Sequence, residues 1–126
     1  KLIKYLNDVK YSFNSYTMDR TTIAAGVASM EDKAYFEESC NKIIATREWT
    51  KTELKKLGFS FQDSKANFIF ATHESCPAKE LFEALREKHI YVRYFPKDRI
   101  DNHLRITIGT DEEMKKLIEF LTEYLK

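Results

Sequence analysis

The sequence predicts an α/β (α+β) fold, with about four short strands packed against helices and a helical arm in front of them. Three observations carry this. Apolar residues recur at helical spacing through the first half of the chain, the period shortens to two in four brief segments after Gly58, and helical stripes interleave with those segments to the end. Residues 1–30 are expected to form the arm and residues 31–126 the compact domain. At 43% hydrophobic and 13% aromatic, 126 residues suffice for one domain with a real core.

Residues 1–10 run in helical phase, with Leu2, Ile3, Leu6 and Val9 on one stripe, no capping residue ahead of them and no initiator methionine. The chain looks cut out of something longer. Residues 11–16, rich in Ser, Asn and aromatics, read as an irregular connector. Thr17 or Asp19 then caps a helix reaching about Met30, with Ile23, Ala24, Val27 and Met30 forming its apolar side. From 32 to 57 a longer helix keeps Phe36, Cys40, Ile43, Leu54 and Leu57 on one seam, interrupted by Arg47 and Thr50, and Gly58 ends it. Such a helix is about 38 Å long, more than a small core requires, so it can serve two bodies.

Residues 59–61 and 67–72 read as strands separated by a turn at Asp63-Ser64-Lys65. Pro77 opens the next helix, with Ser75 or Cys76 as its cap and Ala78, Leu81, Phe82 and Leu85 inward. The third strand is 91–95, stopped by Pro96, and the fourth is 104–108. Thr110-Asp111-Glu112-Glu113 forms a capping box for a last helix with Met114, Leu117, Ile118, Leu121 and Leu125 as its stripe.

Composition excludes several function classes. Twenty-one Lys plus Arg against twenty Asp plus Glu give a net charge of +1 with signs interspersed, so no electrostatic footprint for nucleic acid follows. No apolar run approaches the roughly 20 residues that span a bilayer. The expectation is a soluble, cytoplasmic protein without nucleic-acid or membrane partners. Cys40 and Cys76 read as free thiols of a reducing compartment, and His73, His89 and His103 are too scattered for a metal site. The three glycines are isolated, which leaves no phosphate-cradling loop, and no Gly-x-Ser-x-Gly elbow is present. Glu37-Glu38 and Glu112-Glu113 fit solvated faces or capping, and every Lys sits in a charged helix or a loop. No residue is assigned as catalytic, cofactor-binding or metal-ligating.

Two arginines stand apart. In Leu104-Arg105-Ile106-Thr107-Ile108 alternation puts Leu104, Ile106 and Ile108 on one face and Arg105 with Thr107 on the other. In Tyr91-Val92-Arg93-Tyr94-Phe95, Arg93 shares a face with Tyr91 and Phe95, where a guanidinium is costly unless something anionic meets it. Arginine presents a rigid fork of donors matched to carboxylate and phosphate. Two readings stand at this point: arginines that orient a ligand anion, or arginines paired with a structural carboxylate or snorkelling to a sheet edge.

Val92-Arg93-Tyr94-Phe95, followed after a loop by Leu104-Arg105-Ile106-Thr107-Ile108-Gly109-Thr110 and Glu113-Met114, resembles the C-terminal end of the histidinol-phosphate aminotransferase family. Val9-Lys10-x-Ser12-Phe13-Asn14, Ala28-Ser29-x-x-Asp32, Arg47-Glu48, Leu57-Gly58-Phe59 and Ser64-x-Ala66-Asn67-Phe68 look like that family's pattern in the same order, so the likeness covers essentially the whole chain. The resemblance implies the small domain of a fold-type-I enzyme, preceded by an arm from a large cofactor domain. It implies pyridoxal 5'-phosphate as cofactor and amino-group transfer between L-histidinol phosphate and 2-oxoglutarate in histidine biosynthesis. By position Arg105 matches the arginine that holds the substrate α-carboxylate and Arg93 the one associated with the substrate phosphate. The segment around Asn14 and Tyr16 resembles the entry to the small domain and is given no ligand. Family members are homodimers. Their Schiff-base lysine, the aspartate on the pyridine nitrogen and the phosphate cup lie in the large domain, and no Lys here matches, so these residues alone are expected neither to bind cofactor nor to turn over. Alternatives are a threonine-phosphate decarboxylase, an aromatic aminotransferase, or a free-standing non-catalytic module that grips small anions.

Overall fold

The computed structural model describes residues 1–12, 14 and 16–126, and it divides into two compact units, Lys1–Glu38 and Ser39–Lys126. Phe13 and Ser15, which belong to the expected connector and, for Phe13, to one resembling segment, lie outside the described residues.

The first unit holds α1 (Leu2–Ser12), α2 (Arg20–Glu31) and the opening of α3 (Lys33–Lys56). Asp19 is the cap of α2: its carboxylate accepts the Thr22 amide at 2.7 Å, and that hydrogen bond holds its pKa below the ordinary value. At the start of α3 the Asp32 carboxylate accepts the Tyr35 amide at 3.1 Å. Every described residue up to Glu38 is exposed, including Leu6 and Val9 on the α1 stripe and Ile23 and Val27 on α2.

The second unit has its own core. The remaining strands and helices are β1 (Phe59–Phe61), β2 (Phe68–His73), α4 (Ala78–Glu87), β3 (Arg93–Tyr94), β4 (Leu104–Thr107) and α5 (Asp111–Tyr124). The strands form one sheet in the order β1-β2-β4-β3, antiparallel at each pairing. Ile69 and Ala71 of β2 and Leu104 and Ile106 of β4 are buried on one face, in a cluster with Leu54 of α3, Leu81 and Leu85 of α4, and Met114, Leu117 and Leu121 of α5. The inward stripes of α4 and α5 agree with the helical spacing.

On α3 the expected seam is corrected. Phe36 is exposed, while Thr46, Arg47, Thr50, Lys51 and Leu54 are the buried residues. Arg47 and Thr50 do not interrupt the packed face; they are its middle. Their polar atoms are satisfied there, because the Thr50 hydroxyl donates to the Thr46 carbonyl at 2.8 Å and Arg47 donates to the Ala66 carbonyl at 3.1 Å. The Thr46 hydroxyl donates to the Asp111 carboxylate, tying α3 to the first turn of α5.

Gly58 closes α3 with φ +87°, a left-handed turn that suits glycine, and a Cβ there would come within 3.1 Å of His73 Nε2. The cap of α4 is also corrected. Neither Ser75 nor Cys76 caps it; Pro77 is the cap residue, and the Ala78 amide donates to Asn102 Oδ1 at 3.1 Å. Proline has no side-chain acceptor, so the bond comes from 24 residues downstream. The expected strand 91–95 shortens to two residues at the sheet edge, with Tyr91 exposed on one side and Pro96 without an amide on the other. The capping box of α5 forms as the sequence indicates: the Thr110 amide donates to Glu113 Oε2 at 2.8 Å and the Glu113 amide to Thr110 Oγ1 at 3.3 Å.

Candidate anion-binding face of the sheet

The face of the sheet turned away from the core carries Phe68, Phe70 and Thr72 from β2, Arg105 and Thr107 from β4, and Arg93 from β3. Alternation along each strand puts them there, since their neighbours Ile69, Ala71, Leu104 and Ile106 are the buried ones. Register then brings the two arginines together. Arg93 lies directly opposite Arg105, and Arg105 lies opposite Phe70, so Arg93, Arg105 and Phe70 form one row across three strands.

Like charges opposed across a strand pair are destabilising, and here no carboxylate relieves them. Among the described residues neither guanidinium makes a salt bridge or a side-chain hydrogen bond within the chain. Both stay exposed, and their neighbours are rings: Arg93 lies over Phe95 at 5.5 Å, and Arg105 over Phe68 at 5.6 Å and Phe95 at 5.9 Å. The structural-carboxylate reading thus finds no partner among the described residues, while the sheet-edge reading stays open for Arg93 on the edge strand β3. The row offers two guanidinium forks with their donors open to solvent, a chemistry that suits phosphate or carboxylate.

The aromatic floor under the pair was not singled out from the sequence. Phe70 meets Phe95 edge to face at 6.2 Å, and His103 stacks on Phe70 at 4.7 Å with its buried Nδ1 unpartnered among the described residues. Alternation in Phe68-Ile69-Phe70 carried part of this signal, but only the β2–β4 register puts those rings beside Arg105. Asn102, one residue before His103, also links Thr72 at 3.1 Å to the start of α4.

Other candidates stand apart from this face. A cavity of about 450 Å³ is lined by Ile90, Val92, Ile106, Met114 and Leu117 with His89 and Tyr91 at its wall, and neither arginine enters it. Tyr16 donates its amide to Asn14 Oδ1 at 3.1 Å, a local turn in the first unit. Cys76 is buried, and burial pushes its thiol pKa up, the reverse of an activated nucleophile. No group of three metal-ligating side chains occurs among the described residues.

A family model described as aminotransferase class I and II matches residues 1–121. The chain belongs to that family. This aminotransferase chain is 50% identical over 125 residues to the histidinol-phosphate aminotransferase of Brachyspira hyodysenteriae, covering 99% of this chain and 35% of that one. It is 55% identical over 122 residues to the histidinol-phosphate aminotransferase of Acinetobacter baumannii, covering 97% and 34%. It therefore spans about a third of the length of the curated relatives it matches. Among solved structures, the histidinol-phosphate aminotransferase of Clostridium acetobutylicum matches with a TM-score of 0.80 at 23% identity, over 94% of this chain and 37% of that one. That of Sinorhizobium meliloti, solved in complex with pyridoxal-5'-phosphate, matches with 0.78 at 24% identity over 94% and 33%. These likenesses establish the fold, a small α/β domain.

Family membership implies pyridoxal phosphate in the full-length enzyme. The residues described here do not fit that group. A lysine that attacks an aldehyde must shed its proton, whereas Lys51, the buried lysine, donates to Asp63 and to Glu48 at 2.8 Å, and these bonds raise its pKa.

Proposed function

We propose that these residues form the substrate-side domain of a histidinol-phosphate aminotransferase, a pyridoxal-phosphate enzyme that moves an amino group between L-histidinol phosphate and 2-oxoglutarate in histidine biosynthesis. Residues 1–30 are the arm from the large domain and residues 31–126 the small domain. Arg105 holds the α-carboxylate of 2-oxoglutarate and of the glutamate it becomes, and Arg93 holds the phosphate of the phosphate ester. The observation that carries this reading is the opposed arginine pair, with no carboxylate partner among the described residues, on an open sheet face. An enzyme that takes a phosphate ester and a dicarboxylic acid in turn needs fixed cations on its substrate wall. The relatives at 50% and 55% identity support the substrate assignment. The cofactor chemistry belongs to the whole protein.

The whole protein works as a homodimer in the cytoplasm. Two free thiols suit a reducing compartment, no helix among the described residues is long and apolar enough to cross a membrane, and the exposed apolar stripe of α1 suits burial in a larger assembly.

Steady-state kinetics on the complete gene product test the reading. Arg93→Ala is expected to lower kcat/KM for L-histidinol phosphate about ten- to a hundredfold while sparing 2-oxoglutarate, and Arg105→Ala to lower it for 2-oxoglutarate by a similar factor while sparing L-histidinol phosphate. A wild-type protein that does not transaminate L-histidinol phosphate, or arginine variants with unchanged kinetics, overturns the assignment.

A further inference from the structure

We propose that Phe95 is a positioning residue for the arginine pair, one ring shared by both guanidiniums that holds them side by side without neutralising them. The inference rests on the reading of Arg93 and Arg105 as ligands for substrate anions. Phe95 is the one ring among the described residues that lies within reach of both cations, at 5.5 Å from Arg93 and 5.9 Å from Arg105.

The physical argument turns on what else could hold such a pair. Two guanidiniums at directly opposed positions repel, and on an open face each is free to swing into solvent. A carboxylate between them would hold both, but it would occupy the donors and cancel the charge that an incoming phosphate or carboxylate must find. An aromatic face attracts a cation through its quadrupole and accepts no strong hydrogen bond in the plane of the guanidinium. The fork of N–H groups therefore stays available while the group is steadied from one side.

The ring is itself fixed. Phe95 is half-buried, lies two residues past Arg93 on the same face, and is braced edge to face by Phe70 at 6.2 Å and 65°. Phe70 is backed by the His103 ring at 4.7 Å and 12°. Arg105 has a second ring, Phe68, and so depends on Phe95 only in part, whereas Arg93 has Phe95 alone among the described residues. Loss of the ring should free Arg93 more than Arg105.

The test is NMR of the arginine Nε–Hε groups in the 126-residue chain, with inorganic phosphate as the probe and urea unfolding as the control. In the wild type the Hε resonances of Arg93 and Arg105 are expected upfield of that of exposed Arg20, displaced by the ring current. Phe95→Leu is expected to move both downfield, Arg93 further, and to weaken phosphate binding about two- to fivefold. Phe95→Tyr, which keeps the ring, is expected to retain both signals. A merely structural ring would lower the urea midpoint in Phe95→Leu and leave phosphate affinity unchanged, and that result overturns the proposal. So does a wild type in which the two resonances show no upfield displacement, a measurement that needs no variant to fold. If Arg93→Ala and Arg105→Ala leave phosphate binding unchanged while the upfield shifts persist, the anion reading itself fails and Phe95 positions nothing for a ligand.

Discussion

Arg47 sits at 5% exposure on α3 with its Nε donating to Glu48 at 3.1 Å and a terminal nitrogen to the Ala66 carbonyl at 3.1 Å. The second bond reaches 19 residues along the chain and holds the segment that leads into β2, the strand on which Phe68 and Phe70 stand. Arg47→Ala removes the methylene packing and leaves a carbonyl without its partner, and it is expected to cost about 1–3 kcal/mol in the urea unfolding free energy. Thr50 is fully buried, but its hydroxyl bonds only to the carbonyl one turn back in its own helix, so Thr50→Val is expected to cost less than about 1 kcal/mol. A pattern of apolar residues cannot show either role. Helical periodicity counts what is greasy, and a polar side chain whose partners lie elsewhere in the chain looks in sequence like a break in the seam.

Among elements, what is local was legible and what is paired was not. The capping box at Thr110 and Glu113 spans four residues and follows from residue type alone; Thr110→Ala is expected to cost about 1 kcal/mol by thermal or urea unfolding. The start of α4 is bonded by Asn102, which no local rule points to, and Asn102→Ala should cost a similar amount and lower helix content at residues 78–81. The arginine strands were legible as faces, but that Arg93 opposes Arg105 is a matter of register, set by backbone pairing across a loop. Lys51 joins α3 to the loop before β2 through Asp63 and is bonded within its own helix to Glu48. Their carboxyl pKa values are held below the ordinary 3.8 and 4.5, chiefly by the hydrogen bonds from Lys51, and the Lys51 pKa is raised above 10.5. A depressed carboxyl contributes stability above its unfolded pKa and loses it as pH falls through the folded one; a raised amine contributes below its unfolded pKa and loses it as pH rises. The bridge is therefore fully present between about pH 4.5 and 10.5 and fails on either side. Urea midpoints measured across pH for the wild type and Lys51→Met should converge toward both extremes. A constant gap between the two curves would show that the lysine acts by packing alone.

At the scale of the molecule the two units differ in kind. The second has fifteen buried apolar residues in one cluster, while the first exposes every described residue and holds its helices by caps and local bonds. Local opening free energies follow buried contact, so hydrogen exchange in the 126-residue chain should be faster throughout α1 and α2 than in β2, β4 and α5. Equal protection in the two units would mean that the first is buried against something in solution. The fold class was legible because alternation and helical stripes are strong in the second unit. The chemistry of the whole protein was not legible from periodicity; it entered through ordered resemblance along the chain, because a reaction centre depends on groups that 126 residues need not contain.

Eleven residues lie between Arg93 and Arg105 in the chain, yet strand pairing sets the spacing of their backbone positions. The crossing from Pro96 to Asp101 can thus change length among relatives without moving either charge, since doubling a flexible loop costs only about 0.6 kcal/mol. Substitutions there vary the rim of the face while the gauge between its cations stays constant. A lineage can retune what approaches the site without redrawing the ruler that measures the ligand.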